Sequence, residues 1–161
     1  MKPNILLVTF ALAVASSVTH AHGDAKHRET VTSLHEQTPW GIAGHAGPAV
    51  RTVSIIMTDA MRFAPDDILL KQGETVRFVL RNEGRMLHEM VIGTKASLEE
   101  HAALMRKFPD MEHGEPYMAH VAKSESAEIV WRFNRAGEFS FACLIPGHYE
   151  AGMAGRVTVR P

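Results

Sequence analysis

The stretch "GEFSFACLIPGHYEAGMAGRVTV", residues 137–159, opens and closes on short runs that alternate like strands, with a loop between them that turns at Pro146–Gly147. The loop begins at Cys143, the only cysteine of the chain, and His148 and Met153 follow it at even five-residue steps. A lone thiol has four readings: a nucleophile, half of an intermolecular disulfide, a buried core residue, or a soft-metal ligand. An internal disulfide is excluded, because there is no second cysteine to pair with.

Working outward, the same strand rhythm extends back to Val50. The runs "VRTVSIIM", "DILLKQGETVRFVLRN" and "MLHEMVIG" are β-branched or apolar and are punctuated by Pro65, Gly73, Asn82-Glu83-Gly84 and Gly93. Within the second run, "KQGET" is a turn in which Gly73 is free to take positive φ. "AEIVWRF", "GEFSFAC" and "GRVTVRP" supply three further strands. Between the two groups, "SLEEHAALMRKF" breaks the rhythm: Leu98, Ala102 and Met105 recur at helical spacing, and Ser97 offers an N-cap. The expected fold is therefore all-β, a two-sheet sandwich of about seven strands with a helical insertion between the fourth and fifth.

The N-terminus is of a different kind. Lys2, an apolar run from Ile5 to Ala15, and the small-x-small pattern Thr19-His20-Ala21 read as a signal peptide, residues 1–21, too short to span a bilayer. Cleavage there leaves one domain-sized, exported chain. Residues 22–48 carry Gly, Pro and four histidines without a sustained period and read as a leader that Trp40 can pin to the domain of residues 49–161. No second long apolar stretch follows, so no membrane span is expected, and the mature chain reads as a soluble periplasmic monomer. Removing the signal takes away Lys2 alone and leaves 16 basic against 18 acidic residues. With no basic run and no interleaved aromatics, a nucleic-acid surface is not expected.

Ten histidines and nine methionines are the unusual feature of the composition. A thiolate, two imidazoles and a long axial thioether make the ligand set of a mononuclear type 1 copper centre. Cys143, His148 and Met153 would supply three of the four. His88, at the mouth of "MLHEMVIG", offers the second imidazole, and strand alternation places it on one face with Met90 and Ile92. Zinc suits the set less well, since a thioether is a poor zinc ligand.

With that upstream histidine and the Cys-x4-His-x4-Met loop after an aromatic-rich strand, the chain resembles the cupredoxins over residues 50–161. Its loop is similar in length to those of azurin and rusticyanin, and the pattern is most similar to periplasmic cupredoxins of copper tolerance. The resemblance implies a Greek-key β-sandwich and one copper cycling between Cu(I) and Cu(II). The metal ligands would be His88, Cys143, His148 and Met153, and the protein would be no enzyme. It also implies a redox partner docking near His148 on Ile145, Pro146, Ala151 and Ala154. A role in copper tolerance is expected, the alternative being a dedicated electron carrier to a respiratory or nitrogen-oxide reductase. The sequence departs from the plastocyanin and azurin pattern at Glu89, an acid where they carry Asn. The His/Met-rich segments offer places for additional weak copper, His101, Met105, Met111, His113, Met118 and His120 in the insertion, or His22 with His27, His35 or His45 in the leader; the plainer reading, which is preferred, is a core-facing Met105 and solvated histidines.

Overall fold

In the computed structural model, residues 36–47, 50–109 and 114–161 are described. The signal peptide, His22, His27, His35, Met111 and His113 lie outside them. The elements run β1 (Ile42–Ala43), β2 (Arg51–Thr58), β3 (Arg62–Ala64), β4 (Asp67–Lys71), β5 (Thr75–Asn82), β6 (His88–Gly93), α1 (Lys95–Lys107), β7 (Met118–Val121), β8 (Ser126–Arg132), β9 (Gly137–Ala142) and β10 (Ala154–Arg160).

Among the described residues there are ten strands where seven were expected, because β1, β3 and β7 are each two to four residues long. Runs that short carry no period of their own and exist through their partners. The seven longer strands are those read from the sequence, and the helix falls between the fourth and fifth of them. Two five-stranded sheets result, ordered β1-β8-β5-β2-β3 and β4-β10-β9-β6-β7. The chain changes sheet between β3 and β4, β4 and β5, β5 and β6, and again at either end of β8. Two strand pairs, β2 with β5 and β4 with β10, are consequently parallel.

The sheets face each other across one core. Ile55, Met57, Phe78, Leu80, Ile129 and Trp131 come from the first sheet; Ile68, Leu70, Met90, Ile92, Phe141 and Val157 come from the second. These alternate with outward residues along each strand, as period-two burial requires. β6 is the exception and is buried at every position. Its second face is covered by α1, whose Leu98, Ala102 and Met105 pack with Val91, Ala142, Leu144 and Met118 in a second apolar cluster. The helix is capped by Thr94, not by Ser97. Ser97 sits at the third helical position and completes a capping box with Thr94.

The segment read as leader ends in the first sheet. β1 pairs with β8, Trp40 is buried, and the Trp131 indole N–H donates to the Trp40 carbonyl at 3.1 Å. No helix among the described residues is long and apolar enough to cross a membrane.

Candidate metal centre

One end of the sandwich gathers the side chains that the sequence singled out. Cys143 follows the last residue of β9, where the sheet no longer dictates direction, and the chain enters the loop between β9 and β10. The loop is stitched by its own backbone. His148 N–H donates to Ile145 O at 3.0 Å, Met153 N–H to His148 O at 3.0 Å, and Cys143 N–H to Met153 O at 3.1 Å. The last two bonds return His148 and Met153 to the end of β9. Gly147, at φ +90°, makes the turn that a bulkier residue would adopt only with strain.

His88 enters from the start of β6 and points into the core, on the same face as Met90 and Ile92. The ligand-capable atoms of His88, Cys143 and His148 all lie within 4.8 Å of one another. Cys143 Sγ is 3.2 Å from His148 Nδ1, and the two imidazole rings are 5.0 Å apart at 52°. Cys143, His88 and Met153 are fully buried, and His148 is only 4% exposed.

This burial closes two of the four readings of the thiol. Sγ cannot reach another chain, so an intermolecular disulfide is excluded. Desolvation pushes the thiol up to about 12, outweighing the backbone N–H groups of Glu89 and Ile145 that favour the thiolate. A buried thiol held in its protonated form is an inert nucleophile. Burial also pushes His148 below its ordinary value, and the neighbouring His88 adds to the effect. His148 therefore presents a neutral imidazole with a lone pair to share.

His88 supplies a direct test of fit to a metal. Its Nε2 lies 3.3 Å from an Asp59 carboxylate oxygen, so the proton belongs on Nε2. Its Nδ1 is buried and has no hydrogen-bond partner among the described residues. An orphaned buried nitrogen is costly in a folded protein unless something accepts its lone pair. A soft cation between this nitrogen, the thiol and the second imidazole removes that cost, and the donor set fits copper.

Sequence reasoning missed Asp59, which sits in the tight turn between β2 and β3. Its carboxylate also accepts the backbone N–H groups of Arg85 and Met86, which hold it well below the usual carboxylate range. Gly84 permits this approach, since a Cβ there would collide with the carboxylate and with the Asp59 backbone nitrogen. Asn82, itself buried, braces the same loop by donating to the carbonyls of Met86 and Val121 at 2.7 and 2.9 Å. The segment that delivers His88 is therefore fixed from both sides. An aspartate in a turn looks like any other turn residue, and no local signal distinguishes it.

The other predicted residues are dispersed. Met105 and Met118 are buried in the cluster beneath α1, and His120 lies 2.8 Å from Glu89, on the outer face of the second sheet. His45 is exposed, near the end of the first described segment.

The fold and this cluster define a copper-binding β-sandwich. The family model for plastocyanin/azurin copper-binding proteins matches residues 50–160, and the chain belongs to that family. It is 49% identical to the copper-resistant cuproprotein CopI of Rubrivivax gelatinosus, over 99% of this chain and 97% of that protein. It is 35% identical to CopI of Pseudomonas aeruginosa, over 100% of this chain and 97% of that one. Among solved structures, auracyanin B superposes with a TM-score of 0.63 at 22% identity, covering 75% of this chain and 96% of the other, a likeness of fold.

Proposed function

We propose that the protein is a periplasmic type 1 copper protein acting in copper tolerance. His88, Cys143 and His148 are its strong ligands and Met153 is the long axial one. The observation that carries this is the convergence of one thiol and two imidazoles within 4.8 Å, all buried, with one imidazole nitrogen lacking any other partner among the described residues. The kinship with CopI proteins over the whole chain supports the tolerance role.

Bound copper supplies a one-electron Cu(II)/Cu(I) couple. The chain holds its donors in place beforehand. Cys143 gives up its proton on binding, His88 offers Nδ1 while Asp59 fixes Nε2, and the three backbone bonds of the ligand loop keep His148 and Met153 in register. Donors that need not move keep the reorganisation on electron exchange small. Around His148, Ile145 is half-buried and Pro146 exposed, while Met86 and Leu87, just ahead of His88, are 45% and 48% exposed. This apolar rim suits a small, transient interface with a redox partner.

The test is a Cu(II) titration of the mature protein followed by visible absorption, repeated with Cys143→Ala. An intense thiolate-to-copper band that saturates and is lost in the variant is the expected result. Copper sensitivity of a deletion strain, rescued by the wild-type gene and not by Cys143→Ala, is the expected physiology. Uptake without such a band would refute the type 1 assignment. A deletion strain with normal copper tolerance would favour the plain electron carrier.

A further inference from the structure

Glu89 is a carboxylate with no exposure at all, an expensive residue to keep next to His88 unless its oxygens are occupied. Both are. Oε1 accepts the backbone N–H of Leu144, the residue after Cys143, at 2.8 Å. Oε2 lies 2.8 Å from Nε2 of His120, which stands directly opposite Glu89 across the β6–β7 pair. The Glu89 backbone N–H also points at Cys143 Sγ, 3.5 Å away. The Leu144 N–H and an Nε2–H on His120 are the partners that an ionised carboxylate takes. The residue thus touches the Cys143 segment from two directions, and His120, whose side chain is 40% exposed, connects it to the surface.

We propose that Glu89, held in place by His120, is a positioning residue for Cys143 whose fixed negative charge weights the centre toward its oxidised state. This rests on the type 1 reading above. The physical basis is a difference in charge. A thiolate with Cu(II) carries one more positive charge than the same thiolate with Cu(I), and a buried anion nearby favours the more positive of the two. Glu89 is close enough for its field to matter: its backbone N–H stands 3.5 Å from Sγ, and its Oε1 is 2.8 Å from the amide nitrogen of the residue after Cys143. The hydrogen bond to Leu144 N–H does the positioning: it fixes the peptide that leaves Cys143 and therefore the direction from which Sγ faces the imidazoles.

Two variants separate the charge from the hydrogen bond. Glu89→Gln keeps an acceptor for Leu144 and loses the charge; Glu89→Leu loses both. In the copper-loaded protein, Glu89→Gln is expected to keep the wild-type visible band. Its Cu(I)/Cu(II) equilibrium should shift at least tenfold toward Cu(I), which is about 59 mV for a one-electron couple, read by spectroelectrochemistry. In the copper-free protein, Glu89→Leu is expected to speed hydrogen exchange at the Leu144 amide at least tenfold, while Glu89→Gln leaves it near wild type. A Glu89→Gln equilibrium within twofold of wild type overturns the proposal, and so does Leu144 exchange in Glu89→Leu that matches wild type. If Glu89→Leu does not fold, Glu89→Gln alone decides. A wild-type protein without a thiolate band refutes the type 1 reading instead, and the amide-exchange arm separates the two failures.

Discussion

Asp59→Ala removes the side-chain contact that orients His88, together with the two backbone contacts that shape the loop before it. In the folded protein the imidazole is fully buried; Nδ1 has no hydrogen-bond partner among the described residues, and Nε2 meets Asp59 at 3.3 Å. Removing the carboxylate leaves Nε2–H unpaired, frees the ring to choose the other tautomer, and releases the Arg85 and Met86 amides that shape the loop ahead of His88. Loss of such a partner to a metal-bound histidine typically weakens metal binding by about 10–100-fold. The 3.3 Å separation is at the long end for a hydrogen bond, and Asp59 is open to water, so its charge is well screened. Both arguments place the effect near the lower limit, about tenfold. Asp59→Asn, which retains an acceptor, should recover most of it. The assay is competition for copper against a chromophoric chelator of known affinity, run on wild type and both variants. Affinities equal within twofold for wild type and Asp59→Ala would refute the claim that Asp59 positions His88. Equal losses in Ala and Asn would show that the charge matters and the hydrogen-bond geometry does not.

Two further outcomes follow from burial at the same end of the sandwich. Because burial holds the Cys143 thiol up to about 12 and His148 is neutral, loading copper at pH 7.5 should release about one proton per metal, measured in weakly buffered solution with a pH indicator; release near zero refutes thiolate ligation. The same shift has a sign in the copper-free protein: the folded thiol binds its proton more tightly than the unfolded one, so this contribution to stability is intact below pH 9 and fades as pH rises toward 12. Gly155→Ala in β10 would place a Cβ within 2.6 Å of the Phe141 ring and 2.7 Å of the Asp66 carbonyl, and Phe141 cannot retreat because it packs edge-on against Phe63 at 5.1 Å. Overpacking of this kind costs about 3 kcal/mol, readable by urea unfolding, and an unchanged midpoint would refute it.

The fold was legible wherever a segment carried its own period. β5 and β8 alternate along their whole length and β2 and β10 over their C-terminal parts, Gly73 turns between β4 and β5 at φ +88°, and Leu98, Ala102 and Met105 mark the buried stripe of α1. β1, β3 and β7 were invisible because their strand character comes from the neighbour and not from the run. The N-cap was misplaced by three residues for a related reason: Thr94 and Ser97 are both good caps, and they share one box in which only the geometry shows which residue is first. At the metal centre, the loop spacing and the alternation around His88 identified the converging side chains. Asp59 was illegible because its contact with His88 spans 29 residues and depends on how the β2–β3 turn folds over the 83–87 loop. The role of Glu89 depends in the same way on the register of β7, a strand with no signal of its own.

That register also changes what the surplus of histidine and methionine means. On the sequence alone, the insertion offers three His and three Met within twenty residues as a second place for copper. In the folded protein Met105 and Met118 fill the apolar cluster that seals the outer face of β6, where a thioether contributes packing and has no room to collect ligands. His120 is engaged with Glu89. These three are therefore committed to holding the copper loop from behind, and their substitution should be felt in stability or at the centre itself before it is felt in copper capacity. Copper taken up beyond one equivalent would have to be sought at other histidines, of which His45 is exposed. The count from a titration then has a structural meaning. One equivalent describes a centre that cycles, while a second would describe a chain that also gathers copper, at residues separate from those that make the centre work.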